Sequence, residues 1–291
     1  MVERRGLNQR RADYVETFVW PEIQNKLVLT AFQKVRQEDF LPANRRREAY
    51  ISTIQLGYGS SMTDPKLTAQ MMDHLGLTGH ERVLEIGTAT GFTAALLSQC
   101  ALNVDTIEYQ TNLAISAKRR LVRLGYTNIT VHTGDGAQGL PDKAPFDAIL
   151  VTAAARQIPE RLTEQIAEGG RMVVPVGRDP ANQNIVVLHR NGDYLMRKSA
   201  HLEVRFHPLI SSAPGGWTPE QIQSANTKKW NNLLAIATHR GQSGEDLRKF
   251  LADKFGIPLE KVDSLVADTP NLDLAFLLTQ RNEDGAISFV L

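Results

Sequence analysis

The segment "RVLEIGTATGF" runs from Arg82 to Phe92 and its reading decides the fold. "RVLEIG" (82–87) is short, apolar and β-prone, which predicts a strand. A glycine-rich turn follows, and a helix is expected from Phe92. Such a turn lets backbone approach a ligand, and the helix N-terminus beyond it is electropositive. A dinucleotide fingerprint G-x-G-x-x-G requires a glycine at its sixth position. Counted from Gly87, that position is Phe92, so a nicotinamide cofactor fits poorly. The pattern is instead acid-x-G-x-A-x-G, built from Glu85, Gly87, Ala89 and Gly91.

Apolar runs and helical stretches alternate downstream. "NVDTIEY" (103–109) predicts a second strand and "NLAISAKRRLVRLG" (112–125) a helix. "NITVHTGD" (128–135), "FDAILVTAAA" (146–155) and "GRMVVPVG" (170–177) continue the series, with a helix from Pro159 to about Ala167. Alternation of this kind means a mostly parallel sheet with helices on both faces. "NIVVLHR" (184–190) and "LEVRFHPLI" (202–210) have no helix between them, so the sheet should end antiparallel. Upstream, residues 8–40 read as helical with a break at Pro21. "SSAPGGWTPEQ" after Ile210 reads as a linker. Beyond it "WNNLLAIATHRG" and "GEDLRKFLADKFG" predict two helices, and the chain ends in "AISFVL". The expected division is therefore 1–211, a main domain with N-terminal helices, and 212–291, a small α+β module. There is no internal repeat.

The 291 residues carry 33 Lys plus Arg against 32 Asp plus Glu, a net charge of +1. A phosphate-backbone binder shows a clear basic excess, so a nucleic-acid partner is not expected. The local clusters Arg4–Arg5, Arg10–Arg11 and Arg45–Arg47 read as solvated helix faces. Cys100 is the single cysteine, which excludes an intrachain disulfide and a cysteine-based zinc site. It is expected to be a small buried residue rather than a nucleophile. No metal site is expected. No apolar h-region follows the basic N-terminus, and no stretch approaches the roughly 18 apolar residues of a membrane span. The expectation is a cytoplasmic protein without membrane partners.

Two more acids stand where strands end. Glu108 lies 21 residues beyond Gly87 and closes the second strand; an acid there can accept from both hydroxyls of a ribose. Asp135, in "TGDG", closes the third. It can accept from the exocyclic amine of an adenine, with Gly136 letting the ring lie close. One such carboxylate is ordinary loop chemistry. Three at consecutive strand ends point to one ligand.

Ahead of the glycine loop stands "LGYGSSMTDPKL" (56–67), with hydroxyls at Ser60, Ser61 and Thr63. A helix cap explains part of it: Thr63 at the N-cap, Asp64 and Pro65 in the first turn. It leaves Ser60 and Ser61 unexplained.

These stretches together resemble the protein-L-isoaspartate O-methyltransferase family over about residues 25–210. The resemblance rests on "LGYGSSMTDP", "RVLEIGTATGF", "IEY", "LGYTNITVHTGDG", "APFDAILVTAAA", "IPERLTEQIAEGGRMVVPVG" and "VRFHPLI". It implies a Rossmann-like α/β fold, S-adenosylmethionine as cofactor, and carboxyl O-methylation of L-isoaspartyl residues, the chemistry of protein repair. It implies cofactor contacts from Glu85, Gly87, Ala89, Gly91, Glu108, Asp135 and Gly136. It implies catalytic hydroxyls at Ser61 and Thr63, and substrate contacts from Ser60, Met62 and His207. Both catalytic positions keep a hydroxyl although the surrounding residues depart from the usual pattern. Ala89 replaces a glycine, His207 stands where valine is common, and Asp64 occupies a position usually uncharged. Asp64 would repel an anionic substrate if it faced the site and be harmless if it capped the helix. The departures and the C-terminal module leave two alternatives. One is a dedicated methyltransferase that modifies an aspartate of one peptide to drive aspartimide formation, with residues 212–291 recognising the partner. The other is a cofactor-binding adaptor without activity.

Overall fold

The computed structural model describes residues 2–57, 60–179 and 182–225, and beyond them only 227–228, 245, 248–249, 260, 280–281 and 287–288. Packing divides the chain into two units, Met1–Gly216 and Trp217–Leu291. The first unit thus extends past 211. The carbonyl of Gly215 accepts from the Arg156 amide, and Ser211 Oγ donates to Asp135 Oδ2 at 2.6 Å, so the "SSAPGG" stretch is bonded structure rather than linker. In the second unit Gln280–Arg281 pairs antiparallel with Ile287–Ser288. Of the two helices expected within 230–256, the first lies outside the described residues; of the second, 245 and 248–249 are described and are helical, with Lys249 paired to Glu245 at 3.0 Å.

Among the described residues seven strands form the central sheet: β3 (Arg82–Ile86), β4 (Asn103–Glu108), β5 (Ile129–Thr133), β6 (Phe146–Val151), β7 (Ile166–Asp179), β8 (Asn182–Asn191) and β9 (Tyr194–Val204). A separate hairpin pairs β1 (Ile54–Gly57) with β2 (Ser60–Met62). The sheet order is β5-β4-β3-β6-β7-β8-β9. Strands β5 to β7 are parallel and the β7–β8–β9 end is antiparallel. The chain leaves β3 in one direction and returns to β6 on the other side of it. That reversal opens a crevice at the carboxyl ends of β3 and β6, the ligand position of open α/β sheets.

The edge strand differs from the sequence reading. It covers Tyr194–Val204, and residues 205–210 leave the sheet, touching it through a bridge between Ala154 and Pro208. The Ala154 amide donates to the His207 carbonyl, and the Leu209 amide donates to the Ala154 carbonyl. These bonds lay 207–209 across the carboxyl edge of β6. The helix expected to reach Ala167 is one turn, Glu160–Thr163, because β7 already begins at Ile166.

Alternate residues of each strand face opposite sides. Val83, Val104, Leu150 and Val173 join one apolar cluster with residues of the helices Lys26–Lys34 (α2), Pro65–Leu75 (α3) and Phe92–Ser98 (α4). Leu84, Ile149, Val151 and Met172 join a second, covered by Ala137, Leu162 and Leu209. Leu121 of the helix Thr111–Arg123 (α5) belongs to the first. Cys100 is fully buried, and burial pushes its thiol up to about 12, so it packs as an inert apolar group.

The N-terminal region is helix α1 (Val2–Tyr14), a π-helical turn over Val15–Val19, a turn at Trp20–Glu22, then α2. Two of the arginine clusters, Arg10–Arg11 and Arg45–Arg47, are only partly solvated. Arg45 bonds the Gln55 carbonyl and pairs with Glu48, and Arg10 donates to the Arg47 carbonyl at 2.6 Å. Among the described residues no helix is long and apolar enough to cross a membrane.

Candidate active site

The glycine loop after β3 is strapped to its neighbours on both sides. The amides of Gly87 and Thr88 donate to the Ile107 carbonyl, and Ala89 N–H donates to Glu108 Oε2 at 2.8 Å. On the other side Thr152 Oγ1 donates to the Gly87 carbonyl at 3.0 Å. Gly87 has φ 101°, and a Cβ there would stand 2.6 Å from Thr152 Oγ1, so only glycine fits. Ala89 holds φ 47°, a left-handed conformation that costs an alanine roughly 1–2 kcal/mol. The bond to Glu108 keeps it there.

Glu108 is 7 % exposed, and its other oxygen accepts from the Gln110 amide at 3.0 Å. The Gly134 amide donates to the Glu108 carbonyl, which brings the turn after β5 against the end of β4. In that turn Asp135 Oδ1 accepts from the Ala137 amide. The structure therefore gathers the glycine loop, Glu108 and Asp135 along one sheet edge, with 207–209 beside them.

Glu85 behaves differently from a solvated carboxylate. It is fully buried, and desolvation pushes its pKa up to about 8, with the Glu108 charge adding to the rise. At neutral pH it keeps its proton. Thr106 Oγ1 donates to Glu85 Oε2 at 2.6 Å, and Thr88 Oγ1 lies 2.6 Å from Thr106 Oγ1. Thr106 has one proton and spends it on Glu85, so Thr88 is the donor in the second bond. Glu85 Oε1 is buried with no hydrogen-bond partner among the described residues.

The raised pKa fixes the sign of a pH effect. The folded state holds the proton more tightly than the unfolded one, whose value is near 4.5. The stabilising contribution is complete below about 4.5 and is lost as pH rises towards about 8. Glu85→Gln keeps an acceptor for Thr106 and cannot ionise. Its melting temperature should fall less than that of the parent between pH 5 and pH 8. Parallel Tm profiles would show that Glu85 does not change its charge on folding.

Gly136, Met62 and the cap of α3 need correction. Gly136 is buried, and a Cβ there would collide with the Ile86 side chain, so packing rather than a close-lying ring demands glycine. Met62 is 4 % exposed and belongs to the apolar core, where its sulfur accepts from Gln37 Nε2 at 3.0 Å. It supports the hairpin from beneath and is not a substrate contact. Ser60 and Ser61 are half-buried, with Ser61 opposite Gln55 in the β1–β2 register. The cap of α3 is Asp64, whose side chain accepts from the Lys66 amide at 2.8 Å, with Pro65 in the first turn. Thr63 is left outside the cap. Among the described residues nothing hydrogen-bonds the hydroxyls of Ser60, Ser61 or Thr63.

The hairpin reaches the glycine loop through side chains. Gln37, which bonds Met62, opens a 3-10 turn (Gln37–Phe40) that ends in Phe40. The Phe40 ring packs edge-on against Phe92, centroids 5.5 Å apart, and Phe92 is the first residue of α4 after the loop. Tyr50 completes the support: its amide donates to Gln37 Oε1 and its hydroxyl to Glu38 Oε2.

Sequence reading missed the residues that hold others. Ser211 lay in an apparent linker, and Thr88, Thr106 and Thr152 are hydroxyls with no local pattern. Only pairing between distant segments identifies them.

The family model described as protein-L-isoaspartate(D-aspartate) O-methyltransferase matches residues 18–213. A protein-L-isoaspartate O-methyltransferase of Roseiflexus sp. (strain RS-1) is 44 % identical over 215 residues, covering 74 % of this chain and 96 % of that protein. Another, from Rhodopseudomonas palustris (strain HaA2), is 42 % identical and covers 67 % of this chain and 79 % of its own. A solved protein-L-isoaspartate O-methyltransferase superposes with a TM-score of 0.61 at 28 % identity, covering 75 % of this chain and 69 % of that one. A Plasmodium falciparum structure crystallised with S-adenosyl-L-homocysteine shares the fold, with a TM-score of 0.59 at 17 % identity over 70 % of this chain and 98 % of its own.

Proposed function

The chain belongs to the protein-L-isoaspartate(D-aspartate) O-methyltransferase family, and from that premise we propose that it methylates the free α-carboxylate of L-isoaspartyl residues in proteins or peptides. The observation that supports this reading is the packing that links Met62, between Ser61 and Thr63, through Gln37 and Phe40 to Phe92, the first residue after the glycine loop.

The residues at the sheet edge suit S-adenosylmethionine. Glu85 Oε1 is a buried polar atom without a partner among the described residues, and Glu108 and Asp135 are carboxylates with lone pairs beyond those their amide and hydroxyl partners use. A ligand carrying an ammonium, ribose hydroxyls and an adenine amine supplies matching donors. When bound it supplies an electrophilic methyl group on a sulfonium. Glu108 would hold the ribose and Asp135 the adenine, with Gly87, Ala89 and Gly91 shaping the loop.

The nucleophile is the substrate carboxylate, already ionised at pH 7 because such groups titrate near 4. The chain needs no strong base. Its task is to hold one carboxylate oxygen in line for attack. A hydroxyl can donate one bond that orients the oxygen without neutralising it, the role assigned to Ser61 and Thr63. His207, half-buried and with its carbonyl accepting from the Ala154 amide at the same sheet edge, is assigned a substrate contact. Residues 217–291, the second unit, lie beyond the family match, which ends at 213, and are assigned to partner recognition.

One assay tests the reading: methyl transfer to an isoaspartyl peptide and to the same peptide with normal aspartate, by the full chain and by a chain ending at Gly216. Transfer to the isoaspartyl peptide by both is expected. Preference for the normal aspartyl peptide would favour the dedicated enzyme, and cofactor binding without transfer the adaptor. A shortened chain that no longer binds cofactor would make the second unit part of the main fold.

A further inference from the structure

The family match begins at residue 18, so helix α1 precedes it. This helix is bonded to the hydroxyl segment. Tyr14, its last residue, is 7 % exposed. The phenol donates to Asp64 Oδ1 at 2.8 Å and accepts from the Lys66 amide at 3.1 Å. Its ring lies between Phe18 and Tyr50, at centroid distances of 5.2 and 5.9 Å. Arg10, one turn earlier, fastens the helix to the Arg47 carbonyl.

Asp64 directly follows Thr63. Its charge has no ion-pair partner among the described residues, since the Lys66 ammonium is engaged 2.6 Å from Glu22. What holds the carboxylate is the first turn of α3 and the Tyr14 hydroxyl. A carboxylate free to rotate at this point would stand beside the position assigned to an anionic substrate.

We infer that Tyr14 is a positioning residue: by fixing Asp64 on the α3 cap it keeps a negative charge away from the substrate carboxylate oriented by Thr63. The inference rests on the proposed function, because only an anionic substrate makes the position of this charge matter. Burial and the Asp64 bond both raise the Tyr14 pKa, so the phenol stays a donor over the working pH range.

The experiment is steady-state methylation of an isoaspartyl peptide by the full chain and its variants. Tyr14→Phe removes the donor and keeps the ring. It should raise KM by roughly three- to tenfold at low ionic strength, the scale of one exposed like-charge contact. kcat and the calorimetric affinity for S-adenosylmethionine should stay at parental values. The defect should shrink in about 1 M salt, where charges are screened within a few ångströms. Adding Asp64→Asn to Tyr14→Phe should restore KM, because asparagine still caps and carries no charge. Asp64→Glu gives an independent reading if Tyr14→Phe folds poorly. Its longer side chain carries the charge off the cap, so KM should rise with the same salt dependence. A purely structural Tyr14 would lower Tm without the salt-sensitive KM change. An unchanged KM in Tyr14→Phe or Asp64→Glu, or a defect indifferent to salt and to Asp64→Asn, overturns the inference while leaving the proposed function standing. If the parent fails to methylate any isoaspartyl peptide, the proposed function falls and this inference with it.

Discussion

Replacing Glu108 with alanine is expected to weaken S-adenosylmethionine by roughly a hundredfold. Each hydrogen bond from a ligand to a charged acceptor is worth about 1.5–3 kcal/mol, and about 1.4 kcal/mol is one decade of affinity. One such bond accounts for a ten- to hundredfold loss by that relation. The geometry pushes Glu108 to the upper end. Its Oε2 also holds Ala89 N–H, and Ala89 is the loop residue in a left-handed conformation. Loss of the carboxylate removes a ligand acceptor and releases the loop together. Asp135→Ala should cost nearer tenfold by the same relation. Its two protein partners, the Ala137 amide and Ser211, hold the turn after β5 and not the glycine loop. Calorimetric titration of folded variants measures both. Parental affinity in Glu108→Ala would remove it from the cofactor site, and a larger loss in Asp135→Ala would reverse the ranking.

Thr63→Ala should lower kcat/KM by roughly tenfold or more, because a hydroxyl bonded to a carboxylate contributes about 1.5–3 kcal/mol. The sequence by itself is also compatible with a second effect. An N-cap threonine replaced by alanine costs about 1 kcal/mol of stability. The cap is Asp64, so Thr63→Ala should melt at the parental temperature. Cofactor affinity should stay unchanged. Ser61→Ala should act in the same direction and less strongly. Isoaspartyl methyl transfer, paired with a thermal melt, separates the outcomes. Full activity in Thr63→Ala would deny the hydroxyl any role in orienting substrate. A lower Tm with full activity would return Thr63 to the helix cap.

Local chemistry accounts for what was legible in the chain. The alternation of β-prone runs with helical stretches from Arg82 onward specified the parallel sheet, because burial on both faces demands apolar strands and amphipathic helices. The glycine loop and the acids Glu108 and Asp135 were readable because a strand end is a local feature, and the sheet brings strand ends to one edge. The hydroxyl run stood out because three hydroxyls exceed what one cap uses.

Tertiary packing decided the rest. Met62 looked like a substrate residue beside two serines, yet strand alternation turns it into the core and Gln37 receives its sulfur. Glu85 looked like another ligand carboxylate, and only full burial under the loop makes it hold its proton. Gly136 is set by Ile86, fifty positions away, and Asp135 by Ser211, still more distant in the chain. Whether Asp64 threatens the site or caps a helix was open in the sequence, since an aspartate before proline suits either. The Lys66 amide and the Tyr14 hydroxyl settle it. Sequence patterns record what a residue does for its own strand or helix. The partner that fixes a charge or an orientation arrives from another segment, and only folding brings the two into contact.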